Sequence, residues 1–153
     1  MPGEVMTTKP LPLPLCGTDG GRSFAHPQEK NDCTIRATAI AFGVPYEEVH
    51  AHMAEKGRRP RHKTRRAVWE PVILQYGAVS HSYYGGKRMT LARFLRENPT
   101  GRWVLHMRGH VTAVVDGVIL DSSHQGAKRW ILKAYQVTKV PLEPGLTTTT
   151  EKA

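Results

Sequence analysis

The sequence predicts an α+β domain, with helices in its first half packed on an antiparallel β-sheet in its second. Three observations carry this. Residues 31 to 57 hold two runs of helical periodicity, each with a start signal and a glycine stop. From Arg102 onward the apolar residues recur with a period of two. Asp116-Gly117 sits between two such runs as a short hairpin signal. Helices first and strands last is the order of an α+β fold.

Along the chain, residues 1–24 are rich in Pro, Gly and Thr without periodicity and are expected to be a flexible arm. Residues 25–140 are read as the folded domain, and the threonine run within 141–153 as a flexible tail. Asn31 and Asp32 are N-cap candidates for a buried helix from Cys33 to Phe42, with Gly43 as its stop. Pro45 suits a first helical position, followed by Glu47 and Glu48 in the first turn and Gly57 as terminator. Ala67 to Tyr76 reads as a third helix that Pro71 should kink or delimit. Ala78 to Tyr84 reads as a strand before a Gly85-Gly86 turn, and Thr90 as the cap of a helix from Leu91 to Arg96. Strands are expected over Arg102 to Arg108, His110 to Val115, Val118 to Asp121 and Trp130 to Val137.

A chain of 153 residues fits one domain with its own core. No stretch has the length of a membrane span, and the N-terminus lacks the pattern of a signal peptide, so a cytoplasmic location is expected. With two cysteines, Cys16 and Cys33, a disulfide framework cannot hold the fold. The net charge of +9 is mostly local, because seven basic residues lie between Lys56 and Arg66 with no acid among them. That run reads first as a solvated, mobile loop and second as a contact for nucleic acid or an acidic protein. It offers no aromatic residue on which bases could stack.

Thiol chemistry on carbonyls needs a thiolate, a base that holds its proton, and a group that orients the base. Cys33 falls in the first turn of a helix, where unpaired N–H groups favour the thiolate. In the hairpin, pairing Val115 with Val118 sets Val114 against Ile119, Ala113 against Leu120 and Thr112 against Asp121. His110, Thr112 and Asp121 then share one face, with His110 and Asp121 about 7 Å apart at the backbone. Asp116 is discarded as the orienting group, since it lies about 20 Å along the strand at roughly 3.3 Å per residue.

Asn31-Asp32-Cys33 opening a helix, Asp32-Cys33-Thr34-Ile35-Arg36-Ala37, and the Gly109-His110 to Asp121 hairpin resemble a small papain-like cysteine peptidase of the type common in phage genomes. The resemblance covers roughly residues 25–137. It implies a papain-like fold and cleavage of peptide or isopeptide bonds through a thioester, with neither metal nor cofactor. Cys33 would be the nucleophile, His110 the base and Asp121 the orienting group, acting on a protein or peptide substrate. The family places a glutamine oxyanion donor six residues before the cysteine; here Gln28 lies five before it, so Gln28 is the first candidate and Asn31 the substitute. Losing such a donor costs about 3–4 kcal/mol of transition-state stabilisation. The other implied reading is an inactive binding protein on the same scaffold, with virion or host partners.

Two further groupings read as structural. His50 and His52 point apart on their helix and are not expected to share a metal. Trp69, Trp103 and Trp130 are expected to fill the core.

Overall fold

Helices α2 (Cys33–Phe42), α3 (Tyr46–Glu55) and α4 (Arg66–Gly77) lie on one face of a mixed sheet, and α5 (Leu91–Glu97) lies on the other. The computed structural model describes residues 15–83, 88–122 and 125–139. The strands are β1 (Leu15–Gly17), β2 (Ala78–Ser82), β3 (Arg102–Met107), β4 (His110–Val115), β5 (Val118–Asp121) and β6 (Ile131–Val137), and α1 (Arg22–Ala25) follows β1. Their order across the sheet is β1-β5-β4-β3-β6-β2. All neighbours are antiparallel except β1, which runs parallel to β5. The architecture is therefore α+β, with five antiparallel strands and one parallel edge strand.

Side-chain alternation builds two cores from one sheet. On β3, Trp103, Leu105 and Met107 join Leu91 and Phe94 of α5. Val104 between them joins Ile35 and Phe42 of α2, Val49 and Met53 of α3, and Trp69 and Ile73 of α4. Burial on both faces explains why the middle strands are apolar almost without interruption.

Most boundaries follow local chemistry. Gly43 closes α2 in the left-handed conformation at φ 65°. The Thr90 hydroxyl accepts the Arg93 N–H at the start of α5. The hairpin turn has Asp116 at φ 48° and Gly117 at φ 79°, the pair of positive values a two-residue type I′ turn requires. A Cβ on Gly117 would also stand 3.3 Å from the Pro99 carbonyl oxygen. Gly117→Ala should therefore lower stability by about 1–2 kcal/mol, which a urea melt would register as a lower midpoint at unchanged slope.

Several expectations need correction. The stretch 15–25 was expected within or beside the arm, yet Leu15–Gly17 pairs with Ile119–Asp121 and Thr18 N–H donates to the Asp121 carbonyl. Backbone pairing needs no side-chain pattern, so composition alone could not reveal it. The rest of the arm, the Gly85-Gly86 turn and the tail from 141 lie outside the described residues. Helix α4 runs through Pro71, which is exposed, as is Ala67, the residue whose carbonyl loses its helical partner there. Pro45 occupies the N-cap of α3 rather than its first turn. Trp69 and Trp103 are buried, but Trp130 is 47% exposed, with the Arg88 guanidinium 4.9 Å from its ring centre.

The largest correction concerns the basic run, which is not a free solvated loop. Arg58 is buried and donates through Nη1 and Nη2 to the carboxylate of buried Glu29, at 3.0 and 3.1 Å. The Arg61 N–H adds a third bond to Glu29 at 2.6 Å, and Asn31 Nδ2 donates to the Arg61 carbonyl. One carboxylate thus fastens the loop against the start of α2. No helix among the described residues is long and apolar enough to cross a membrane.

Candidate active site

Cys33 is the first residue of α2, and what precedes it fixes the helix in place. Asp32 was expected to cap the helix with its side chain, but its carboxylate makes no such bond. It is fully buried and accepts from Arg22 Nη1 and Arg36 Nε, both at 3.2 Å, and from the Tyr46 hydroxyl at 2.6 Å. Arg36 N–H to the Asp32 carbonyl closes the first helical turn, which leaves the N–H groups of residues 33–35 without helical acceptors. Cys33, a free thiol, stands in this first turn.

His110 opens β4, and the hairpin register is the one its turn dictates: Val115 opposite Val118, Val114 opposite Ile119, Ala113 opposite Leu120. His110 and Thr112, two apart on the strand, both reach one carboxylate oxygen. His110 Nε2 lies 2.7 Å and Thr112 Oγ1 2.5 Å from Asp121 Oδ2. Asp121 Oδ1 is occupied by Arg36 Nη1 at 3.1 Å and by the Ser122 N–H at 2.6 Å. With Nε2 committed to Asp121, Nδ1 is the nitrogen left for the Cys33 sulfur, on whose ionisation His110 and the Val111 N–H both act. Asp116 sits away in the turn, accepting the Gly101 N–H at 2.9 Å.

The electrostatics follow these contacts. Burial opposes ionisation of Cys33, but the hydrogen bond and charge of His110, the Val111 N–H and Arg36 outweigh it and hold the thiol below its ordinary value. Burial likewise works against a charged His110, yet Asp121 and Cys33 lift it to about 9. Burial resists ionisation of Asp121 too, and its bonds from His110 and Thr112 bring it down to about 2. Each shift is toward the charged form, the direction of a thiolate–imidazolium pair backed by a carboxylate.

Cys33 and His110 line a cleft of ≈ 370 Å³, while the buried Asp121 is not in its lining. Asn31 lines it, whereas Gln28 does not: Gln28 lies on a separate groove with His26 and Pro60, its carbonyl accepting from Arg61 Nη1. Of the two oxyanion candidates, Asn31 is the one that lines the cleft. Three lining residues carry a buried polar atom with no partner: Thr34 Oγ1, Thr64 Oγ1 and His106 Nδ1. His106 packs edge-on to Trp69 at 5.0 Å, and burial and nearby Arg66 keep its ring below its usual pKa.

Sequence reasoning missed Arg36, Thr112 and Tyr46 as supports of the trio. Arg36 was detectable as the i,i+4 partner of Asp32, and Thr112 as a polar residue on the predicted His110 face. Tyr46 carried no local signal, since it reaches Asp32 from the next helix. The two helix histidines serve different partners: His50 Nε2 lies 2.7 Å from Glu29, and His52 Nδ1 lies 2.8 Å from the Tyr76 hydroxyl. Among the described residues no cluster of three or more His, Cys, Asp or Glu could hold a metal. The chain matches no protein-family model, no curated protein and no solved structure.

Proposed function

We propose that this chain is a papain-like cysteine hydrolase that cleaves peptide or isopeptide bonds. The observation that carries the reading is the relay Cys33–His110–Asp121 on an open cleft, with every pKa displaced toward the reactive ionisation state. The Cys33 thiolate attacks the scissile carbonyl carbon, and the carbonyl electron pair moves onto oxygen. The N–H groups of the first turn of α2 are its backbone donors, and Asn31, which lines the cleft, is the side-chain candidate through the second hydrogen of its amide. His110 Nδ1–H then protonates the leaving nitrogen as the C–N bond breaks, leaving a thioester on Cys33. Water, deprotonated by the now neutral His110, attacks the thioester carbonyl, and breaking the C–S bond releases the acid and restores the thiolate and the protonated His110.

The test is selective alkylation. At pH 6 an ordinary thiol of pKa about 8.5 is only about 0.3% ionised, so iodoacetamide should label Cys33 at least roughly tenfold faster than Cys16. Labelling should also stop hydrolysis of any peptide or ubiquitin-like probe the chain turns over. Equal, slow labelling of both cysteines would refute the thiolate.

The pH profile separates the two roles. Turnover should fall in acid as Cys33 takes up its proton, and fall again above about 9, where His110 loses the proton it must give the leaving group. Alkylation needs only the thiolate and should not fall on that alkaline side. A turnover plateau continuing past pH 10 would remove His110 as the acid. One observation favours a scaffold that binds without turnover: Gln28, the residue nearest the family's oxyanion donor position, is outside the cleft.

A further inference from the structure

We infer that the substrate of the Cys33 cleft carries acidic side chains beside its scissile bond, and that Lys63 on the basic loop selects them; the inference rests on the hydrolase reading above. The Glu29–Arg58 anchor turns the loop into a wall of the cleft, contributing Lys63 and Thr64 to its lining. Lys63 is exposed and makes no ion pair among the described residues. It also lines an adjoining groove with Arg59 and Arg65, which no acidic residue enters. Positive surface therefore continues from the reactive sulfur along the loop.

The carboxylate that lines the cleft itself does not offset this charge. Asp32 is fully buried, and both its oxygens are taken by Arg22, Arg36 and Tyr46. Thr34 and Thr64 line the same cleft as Lys63, and their buried hydroxyls have no hydrogen-bond partner in the fold. A lysine or arginine side chain in the same place would meet Lys63 and Arg66 instead. An extended acidic peptide fits better than a nucleic acid, because the adjoining groove has no Phe, Tyr or Trp on which a base could stack and Trp69 in the cleft is buried.

The experiment uses the full chain carrying Cys33→Ala and fluorescent peptides of equal length in which the variable residues are Glu, Gln or Lys, read by anisotropy. The Glu peptide should bind at least about tenfold more tightly than the Gln peptide, with the advantage shrinking as salt is added. Adding Lys63→Glu, an exposed change, should erase the advantage and favour the Lys peptide. Equal affinities for Glu and Gln, an advantage that survives Lys63→Glu, or no binding of the Glu peptide up to about 1 mM would each overturn the inference. Tighter binding of a single-stranded oligodeoxynucleotide than of the Glu peptide would overturn it in favour of nucleic acid. With Cys33 present, the kcat/KM ratio of Glu to Gln peptides should fall about tenfold on Lys63→Glu, equivalent to about 1.4 kcal/mol. Selective binding without any cleavage would leave the acidic preference standing and sink the hydrolase reading, whereas cleavage without selectivity would do the reverse.

Discussion

Asp121→Asn is expected to lower kcat by about 10⁴, the loss typical when an orienting carboxylate becomes an amide and its histidine takes the wrong tautomer. The surroundings of Asp121 explain why an amide cannot substitute, although papain-like enzymes accept Asn in this role. Both oxygens receive donors: Arg36 and the Ser122 N–H on one side, His110 and Thr112 on the other. If the amide oxygen faces Arg36, its NH₂ faces His110 Nε2. That nitrogen must then accept, so the ring proton moves to Nδ1 and points at the sulfur. A neutral ring in that tautomer cannot take the thiol proton. If the oxygen faces His110 instead, the NH₂ meets two donors and Arg36 keeps only one carboxylate, that of Asp32. The measurements are kcat on whichever probe the parent chain cleaves and the labelling rate of Cys33 at pH 6, which should fall as well. A loss in kcat within about tenfold would mean that Asp121 does not orient the base.

Arg58→Met should cost about 3–5 kcal/mol, because it strands the Glu29 carboxylate, 3% exposed, without its counter-ion. In a domain of this size that is a fall in Tm of roughly 10 °C. His50 and the Arg61 and Lys30 N–H groups remain on Glu29, which keeps the loss below total unfolding. Combining it with Glu29→Gln should recover part of the loss, since the stranded charge is then gone. An exposed arginine in a free loop would change stability by no more than about 0.5 kcal/mol. A Tm that hardly moves would therefore show that the basic loop is not fastened.

The readable parts of this sequence were those in which chemistry is local. The hairpin register from Val115 and Val118 follows from the two residues of its turn, and it carries His110 and Asp121 to one face. Thr90, Gly43 and the bounds of β4 and β5 are equally local. What escaped depends on partners distant in the chain. Arg58 looks identical to Arg59 in sequence, and only Glu29, brought alongside by folding, makes one buried and leaves the other exposed. Asp32 resembles any N-cap, yet Arg22 and Tyr46 draw its carboxylate away from the helix end. Strand β1 has no readable pattern in its three residues because its pairing uses the backbone alone.

The docking of α2 on β4 has a consequence for the making of the protein. On a ribosome, α2 emerges long before β4 and β5 are synthesised, and its cysteine then has neither imidazole nor Val111 N–H beside it. Bringing Cys33, His110 and Asp121 together therefore waits for completion of the sheet, a delay supplied by the long-range topology.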